Sequence, residues 1–479
     1  MVIKNWIGGK LKNTHDNDYI KKFNPHDGKF LYNIVNSKIN DINDAIDSAH
    51  EAFKIWSDFT PVKRGQILGN IVLGMKSNMK QLSECIATET GKSIKDAHAE
   101  VNAAILQAEF FAGEGMRLYG KSLTSGMRGK YTHSVRQPHG IVGLIVPANT
   151  PIANIAWKTF PALICGNSII LKASEDSPKI ALLFAKITKE AGLPDGIFNV
   201  IQGDGKISGS LLVSCHRISL ISFTGSTSVG KQIAQIAGAR LARVSLELGG
   251  KNPFIVCDDA DIDQAVNWAV LSAFSNAGQR CAAGSRILVF RSIYEKFRKK
   301  IITKTNSLKL GIDLDCDLGP VINMRQYENI LNAIKNAKKE GGKILSGGRK
   351  PTNIKLINGY YIQPTIIENL RRDSYLSTNE IFGPVVTLHV VEDIQDALNF
   401  SNSSEYGLTA AIHTRNLDRA VWFAQKIRSG TVNINIGTFG SEPHMPFGGF
   451  GLSGNFKYVS LKIFFNLFIS SNPFQSGVT

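Results

Sequence analysis

One of the six cysteines, Cys281, lies in the stretch SNAGQRCAAGSR (residues 275–286), which places small residues on both sides of the thiol. A free cysteine is more often a small buried hydrophobe than a reactive group, but a cysteine that only fills a core favours larger neighbours. The glycines and alanines around Cys281 leave room for another molecule to approach the sulfur. Because an unperturbed thiol has a pKa of about 8.5, a nucleophilic role needs a nearby base or a positive potential.

Two glycine clusters follow predicted strands and are typical of phosphate-binding loops. GDGKISG (203–209) misses the GxGxxG spacing of dinucleotide-binding loops by one residue and is a weak signal by itself. FTGSTSVGKQIA follows the predicted strand RISLIS and opens a helix, so backbone N–H groups and the helix dipole favour an anion there. Residues 225–231 also match the GxxxxGK of an ATP-binding loop, but Gln232 stands where magnesium needs Ser or Thr, which disfavours an NTPase. A plain helix cap by Ser226 or Thr227 is compatible with either interpretation.

The elements that must position these residues alternate along the chain. Residues 42–112 have apolar side chains at helical spacing. Residues 140–257 alternate short apolar runs with amphipathic segments, which predicts βαβ units and a doubly wound parallel sheet. A second alternation starts near Asn252, and residues 120–139 are predicted to form an exposed hairpin. The predicted fold class is therefore α/β.

Composition narrows the class of protein. The chain has 479 residues, of which 43% are hydrophobic and 20% charged, as expected for a globular protein of two or three domains. The six cysteines and ten histidines show no metal-ligand spacing, so no metal site or disulfide framework is indicated. The net charge of +16 is spread along the chain, and no stretch approaches the roughly 18 apolar residues of a membrane span. We therefore expect a cytoplasmic protein with reduced thiols that binds no nucleic acid and no membrane.

Five motifs in order along the chain resemble the aldehyde dehydrogenase superfamily, over about residues 7–454. They are FTGSTSVGK (223–231), LELGGKNP (246–253), GQRCAAGSR (278–286), NEIFGPVV (379–386) and PFGGFGLSG (446–454). The resemblance implies a Rossmann-like parallel-sheet cofactor domain of residues 1–119 and 140–249, and an α/β catalytic domain of residues 250–450. It also implies a small β oligomerisation hairpin or arm, from residues 120–139 and 451–479, in a homodimer or homotetramer.

By this resemblance, Cys281 attacks the aldehyde carbon to give a thiohemiacetal, hydride passes to a nicotinamide, and water cleaves the resulting thioester. Glu247 matches the family's general base, and burial that raised its pKa would suit that task; the alternative is a strand-end carboxylate bound to backbone. Asn149 matches the amide that forms an oxyanion hole with the Cys281 backbone N–H; the alternative is a plain turn before Pro151.

The resemblance also implies where NAD binds. Lys172 and Glu175 match residues at the adenosine ribose, where a carboxylate would repel a 2′-phosphate and favours NAD over the alternative cofactor NADP. The remaining cofactor positions, around the adenine, the pyrophosphate and the nicotinamide ribose and ring, are Gly203, Gly225, Ser226, Glu380 and Phe382. Any of these could otherwise be an ordinary loop or core residue.

The chain departs from the family pattern around the substrate and in the tail. PANTP replaces the usual PWNFP, so Thr150 stands where an aromatic residue is common in the family. Asn154 and Arg280 occupy positions that are often apolar or small in the family. Trp157 keeps the family's aromatic residue. This more polar entrance suits an aldehyde with an anionic or hydroxylated tail, unless Arg280 turns outward to solvent. After residue 454 the tail is atypical, although its apolar run LKIFFNLFI (461–469) is compatible with a strand.

Two other functions stay open at this point. One is a CoA-acylating relative, in which a thiol takes the acyl group instead of water; such relatives often lack the glutamate of LELGG, so Glu247 argues against it. The other is an inactive family member with a binding role, against which Cys281, Glu247 and Asn149 argue together. The favoured interpretation is an NAD-dependent, hydrolytic aldehyde dehydrogenase acting on a small polar or anionic aldehyde of the semialdehyde type.

Overall fold

The computed structural model describes residues 1–455 and the backbone strand Phe468–Ser471. The remaining tail residues, 456–467 and 472–479, lie outside the described part, and most of the run LKIFFNLFI falls among them. In the described part of the chain, no helix combines the length and the apolar character needed to cross a bilayer.

A seven-stranded sheet dominates the first half of the chain. Its order is Arg243–Glu247, Leu220–Thr224, Ile141–Ile145, Ser168–Lys172, Phe198–Ile201, Asn5–Ile7 and Lys10–Lys12. The first five strands are parallel and mostly buried, as expected for the nearly continuous apolar runs of a sheet covered on both faces. The order of the parallel strands reverses between Ile141–Ile145 and Leu220–Thr224, and ligands of doubly wound sheets bind at such a reversal.

Helices cover this sheet on both faces. They are Ile39–Asp58, Pro61–Ser77, Met79–Thr90, Ile94–Gly113, Pro151–Ile164, Pro178–Glu190, Ser210–Ser214 and Thr227–Ala239, with short turns at Glu114–Met116 and Gly205–Gly209. Several begin at a capping side chain; for example, the Thr60 and Ser93 hydroxyls accept hydrogen bonds from backbone N–H groups three residues on. Pro151–Ile164 is apolar on almost every face and is almost entirely buried.

A second seven-stranded sheet follows at Pro253. Its order is Lys343–Ser346, Thr365–Glu368, Val385–Val391, Arg286–Phe290, Pro253–Val256, Thr409–His413 and Thr431–Ile434. All neighbours in it are parallel except the first pair. Its helices are Ile262–Phe274, Tyr294–Asn306, Met324–Lys339, Tyr375–Thr378, Ile394–Asn402 and Leu417–Lys426, with short turns at Ser275–Gly278 and Arg291–Ile293.

Three small sheets complete the described structure. They comprise Val2–Ile3, Phe30–Val35 and Tyr19–Phe23; Tyr406–Gly407 with Phe450–Gly451; and Lys121–Leu123, Thr132–Pro138 and Phe468–Ser471. The last sheet contains the predicted hairpin, whose first strand is exposed at every residue. The predicted α/β fold with two parallel sheets is confirmed, whereas the predicted domain boundaries stay predictions.

Candidate active site

A cavity of about 880 Å³ lies between the two large sheets, at the strand-order reversal. Asn149 follows Ile141–Ile145 into its wall, and Gly225 follows Leu220–Thr224. The cavity brings together most of the residues singled out from sequence: Asn149, Thr150, Asn154, Trp157, Gly225, Ser226, Glu247, Arg280, Cys281, Glu380 and Phe382. The three residues predicted at the adenosine end, Lys172, Glu175 and Gly203, do not line it.

The loop that carries Cys281 has an unusual backbone. Asn276 and Ala277 adopt left-handed conformations with φ of 54° and 53°, which non-glycine residues rarely do. The Asn252 side chain donates to the carbonyls of Cys281 (2.7 Å) and Ala283 (2.9 Å), which fixes the loop on both sides of the thiol. The Cys281 N–H meets no acceptor within residues 1–455, so it is free to bind another group.

The environment of the thiol favours its protonated form. Burial, with a further contribution from the Glu380 and Glu247 carboxylates, raises the pKa of Cys281 to about 12, against smaller opposing effects of the Ala282 N–H and Arg280. Within the described residues, the opposing influences of Arg280 and the Ala282 N–H do not offset burial at the sulfur. Nucleophilic attack therefore requires a base to take the proton as the reaction proceeds.

Glu247 ends the strand Arg243–Glu247 and is buried in the cavity wall. Neither of its carboxylate oxygens has a hydrogen-bond partner among the described residues, so the alternative of a carboxylate bound to backbone is wrong. Burial raises the pKa of Glu247 well above its ordinary value, and the Lys158 ammonium opposes this only partly. An unpaired carboxyl group with a raised pKa, in the same cavity as the thiol, is suited to exchange protons with a reacting molecule.

Sequence reasoning missed Lys158, which also lines the cavity. Its Nζ donates to Ser222 Oγ at 2.9 Å, and burial lowers the pKa of Lys158 to about 8. The signal in the sequence is a lone lysine inside the apolar helix Pro151–Ile164.

Asn149 is tied to the Cys281 loop across 130 residues of sequence. Its Nδ2 donates to the Gln279 carbonyl at 2.9 Å, which leaves the second N–H of the amide uncommitted. Its own carbonyl accepts hydrogen bonds from Lys92 Nζ (2.7 Å) and Asn276 Nδ2 (3.1 Å). Asn149 is thus part of a specific junction between the two sheets and more than a plain turn before Pro151.

The adenosine-side residues are arranged as a preformed loop. Lys172 Nζ and Glu175 Oε2 form an ion pair at 3.0 Å. Burial opposes ionisation of Glu175, but Lys172 and hydrogen bonds outweigh it and hold the pKa of Glu175 below its usual value. Gly203 has a φ of 133°, and a Cβ there would come within 2.9 Å of the Ser37 backbone nitrogen, so only glycine fits.

The second glycine loop opens the helix Thr227–Ala239. The Ser226 side chain forms no cap hydrogen bond and the Thr227 hydroxyl donates to the Leu452 carbonyl, so the side-chain cap considered from sequence is wrong. The first-turn N–H groups of this helix therefore stay available to an anion, as the phosphate interpretation requires.

Glu380 and Phe382 lie on the other side of the cavity, where Gly250 N donates to Glu380 Oε1 at 3.1 Å. Burial raises the pKa of Glu380 to about 7. Phe382 has a left-handed φ of 55°, and Gln326 Nε2 donates to the carbonyls of Ile381 (2.7 Å) and Phe382 (3.1 Å). Gln326, on the helix Met324–Lys339, is a second residue that sequence reasoning missed, and no motif of the sequence marks it.

The polar residues predicted for the substrate side face one another in the wall. Asn154 Nδ2 donates to the backbone carbonyl (2.9 Å) and the hydroxyl (2.8 Å) of Thr150, and Trp157 lies one turn further along the same helix. The Arg280 guanidinium packs over the Phe439 ring at 5.1 Å, and its Nε is buried without a partner among the described residues. Arg280 therefore lies in the cavity wall, and the alternative in which it turns outward to solvent is wrong.

One trio of candidate metal ligands, Asp313, Asp315 and Cys316, occurs among the residues the structure describes. These residues are on the surface and do not line the cavity. The trio is therefore not part of this site.

Comparison with known proteins agrees with this geometry. Residues 12–467 match the aldehyde dehydrogenase family. The chain is 37% identical over 448 residues to alpha-ketoglutaric semialdehyde dehydrogenase from Bacillus subtilis, which covers 93% of this chain and 92% of that protein. It is 36% identical over 435 residues to D-glyceraldehyde dehydrogenase (NADP(+)) from Picrophilus torridus, with 91% and 88% covered.

A solved structure gives the same result. Betaine aldehyde dehydrogenase from Staphylococcus aureus in complex with NAD+ superposes with a TM-score of 0.96 at 32% identity, covering 98% of this chain and 94% of that chain. The predicted family, the oxidoreductase class and the Rossmann-like fold are confirmed by these matches. The chain belongs to the aldehyde dehydrogenase family.

Proposed function

We propose that this protein is an NAD-dependent aldehyde dehydrogenase of the hydrolytic type, which oxidises a small anionic semialdehyde to the carboxylic acid. The observation that carries the proposal is the shared cavity, which is lined by the residues of a thiol, an unpaired carboxyl group and an amide with an uncommitted N–H: Cys281, Glu247 and Asn149.

The first step is addition of Cys281 Sγ to the aldehyde carbon. The C=O bond becomes a C–O single bond, and the oxygen gains negative charge as the thiol loses its proton to a base. The Cys281 N–H and the uncommitted N–H of Asn149 are the donors for that oxygen, and donors fixed in advance stabilise it without reorganisation. Glu247, in its ionised form, accepts the proton of the thiol, because its raised pKa makes it a stronger base than an ordinary carboxylate.

The cofactor fits the residues present, because the first-turn N–H groups of the helix after Gly225 have no side-chain cap and are open to a phosphate, and the Lys172–Glu175 pair offers polar atoms to ribose hydroxyls. When bound, NAD supplies the acceptor for the hydride that leaves the thiohemiacetal carbon. Lys172 and Glu175 would hold the adenosine ribose, and Gly225 and Ser226 the diphosphate. Glu380 and Phe382 would hold the nicotinamide ribose and ring.

The resulting thioester on Cys281 is cleaved by water. Glu247 accepts a proton from that water after it has released the proton that it took from the thiol, and its raised pKa makes it a stronger base than an ordinary carboxylate. The CoA-acylating alternative needs no such base, so the buried and unpaired Glu247 favours hydrolysis.

An anionic tail is favoured by Arg280. The Arg280 side chain is half-buried and its Nε has no partner among the described residues, so the guanidinium would gain a charge-assisted hydrogen bond from a substrate carboxylate. The Bacillus subtilis relative is named for a semialdehyde, which fits this tail. The Picrophilus torridus relative is named for glyceraldehyde, and the polar pair Thr150 and Asn154 would suit such a hydroxylated tail as the alternative.

The assembly and location are part of the same proposal. The exposed hairpin carries large apolar side chains, Met127 at 67% and Tyr131 at 75% exposure, which suits an interface between subunits. We infer a homodimer or homotetramer in the cytoplasm, measurable by sedimentation of the purified protein and by fractionation of cells.

The direct test is NADH formation with a matched aldehyde panel: four- and five-carbon semialdehydes, the neutral aldehydes of equal length, and glyceraldehyde. We expect the highest kcat/KM for a semialdehyde, with the free acid as product and no requirement for CoA. Acyl-CoA as the product with added CoA would support the acylating alternative, and no turnover with any aldehyde would support an inactive binding protein.

A further inference from the structure

We propose that the buried ion pair of Lys92 and Glu100 positions the Asn149 amide for catalysis, and that the pair affects the reaction only through Asn149. The inference rests on the oxyanion role proposed for that amide. Lys92 and Glu100 are positioning residues, and neither belongs to the motifs that carry the family resemblance.

The two residues reach the cavity from different elements. Lys92 directly follows Gly91, whose left-handed backbone (φ +77°) ends the helix Met79–Thr90. Glu100 lies in the second turn of the helix Ile94–Gly113. Their side chains are only 3% and 4% exposed, and Lys92 Nζ lies 2.6 Å from Glu100 Oε2. Both line the cavity that holds Cys281.

Together they hold the backbone at Asn149 and in the turn that follows it. Lys92 Nζ donates to the Asn149 carbonyl at 2.7 Å. Glu100 Oε1 accepts from the backbone N–H groups of Ile152 (3.0 Å) and Ala153 (3.4 Å), at the start of the helix Pro151–Ile164. A carboxylate in this place complements the helix dipole and replaces a missing cap, since Thr150 forms no cap hydrogen bond.

Stability alone is a weak reason for this pair. Burying two charges is expensive, and apolar residues of similar volume often stabilise a core as well or better. An oxyanion donor, in contrast, must sit about 2.7–3.1 Å from an oxygen whose charge appears only during the reaction. The pair fixes the carbonyl of Asn149 while Gln279 takes one of its amide hydrogens, so the direction of the other hydrogen is set.

The test is a double-mutant cycle on the full-length protein with Lys92→Met, Asn149→Ala and the two combined. The measured quantity is the rate of the first NADH turnover, which reports acylation of Cys281. We expect Asn149→Ala to slow it about 10²–10³-fold, as loss of an oxyanion donor does, and Lys92→Met to slow it at least about tenfold. In the Asn149→Ala background, Lys92→Met should then slow it less than about threefold, because its effect passes through the missing amide.

Two controls separate positioning from general damage. Alkylation of Cys281 by iodoacetamide forms no oxyanion, so its rate should change less than about twofold in Lys92→Met. Glu109→Gln lies on the same helix as Glu100 and removes a surface ion pair with Lys76 (2.5 Å), and it should leave acylation at the wild-type rate.

Lys92→Met leaves the Glu100 charge buried without its partner, and this unpaired charge can destabilise the fold independently of any effect on Asn149. The combined variant Lys92→Met/Glu100→Gln removes both charges and keeps an oxygen that accepts from Ile152 N–H. It should show the same selective loss of acylation.

The positioning role would be overturned if Lys92→Met slowed acylation by the same factor with and without Asn149→Ala. Acylation at the wild-type rate in Lys92→Met/Glu100→Gln would overturn it as well. Wild-type acylation in Asn149→Ala would instead contradict the oxyanion role of the proposed function, so the two failures are distinguishable.

Discussion

The aldehyde end and the adenosine end of this site differ in whether their polar side chains have partners within the protein. At the adenosine end, Lys172 and Glu175 satisfy each other in an ion pair. At the aldehyde end, both oxygens of Glu247, Oδ1 of Asn149 and Nε of Arg280 are buried without a partner among the described residues. Each such group destabilises a fold by about 1–3 kcal/mol.

The difference follows from what each end must recognise. A cofactor ribose arrives complete, so the loop that binds it can be formed in advance around a satisfied pair. Charge on the aldehyde oxygen and on the attacking water develops only during the reaction, so the groups that meet it must stay open. Unpaired groups with shifted pKa values therefore mark the reacting end.

The largest expected effect is at the thiol. Cys281→Ala removes the only atom that forms the covalent bond, so NADH production should fall below detection. NADH binding, followed by fluorescence titration, should stay within about twofold because the thiol does not hold the cofactor. Cys215→Ala, a half-buried thiol elsewhere in the chain, is the matched control and should keep full activity. NADH production by Cys281→Ala would contradict a mechanism in which Cys281 forms the covalent bond to the aldehyde.

Glu247→Gln should slow steady-state turnover about 10²–10⁴-fold, the usual contribution of a general base. If thioester hydrolysis is the step that loses the base, stopped-flow measurements should show a first turnover of NADH much faster than the steady state. The exposed Glu190→Gln serves as control. A steady-state rate equal to wild type would assign the base to another group.

Arg280→Leu should raise KM for a semialdehyde about tenfold or more, because a charge-assisted hydrogen bond contributes about 1.5–3 kcal/mol. The KM of a neutral aldehyde of equal length should change far less, which the same NADH assay measures. Equal losses for both aldehydes would mean that Arg280, packed on Phe439, only shapes the loop.

Glu175→Gln tests the adenosine end. The carboxylate should repel the 2′-phosphate of NADP in this partly buried place, so the wild type should prefer NAD. In the variant, the ratio of kcat/KM for NAD to that for NADP should fall about tenfold. The ratio of kcat/KM for the two cofactors measures it. A wild-type preference for NADP would contradict the interpretation of this loop.

The smallest effect is on stability and depends on pH. Because the folded-state pKa of Glu247 lies above its unfolded value of about 4.3, the ionisation-linked destabilisation is absent below that pH and increases as the pH rises towards the folded pKa. Relative to wild type, the unfolding free energy of Glu247→Gln should therefore grow with pH, by at most about 1.4 kcal/mol per unit. Urea unfolding at pH 4.5, 6 and 7.5 measures the difference, and a constant difference would mean that Glu247 titrates normally.

Much of the fold and site could be predicted because the signals are local. The alternation of apolar runs gives the parallel sheets, and short motifs hold Cys281, Glu247 and Asn149 at fixed places relative to strand ends. Lys92, Glu100, Lys158 and Gln326 could not be predicted in the same way. Lys92 looks like any surface lysine beside a helix end, and only the approach of Asn149, 57 residues later, makes it part of the site.

The sequence by itself determined the family, the fold class and which residue types carry the chemistry, since these depend on periodicity and on motifs of a few residues. Only the tertiary structure decided which of those groups are paired and which are left open. Pairing depends on distances between residues far apart in sequence: Lys158 and Glu247 lie buried in the same cavity wall, and Arg280 packs against Phe439 in that wall. Burial then sets the protonation of the thiol and the carboxyl group, because the free energy of a charge depends on the solvent it loses on folding.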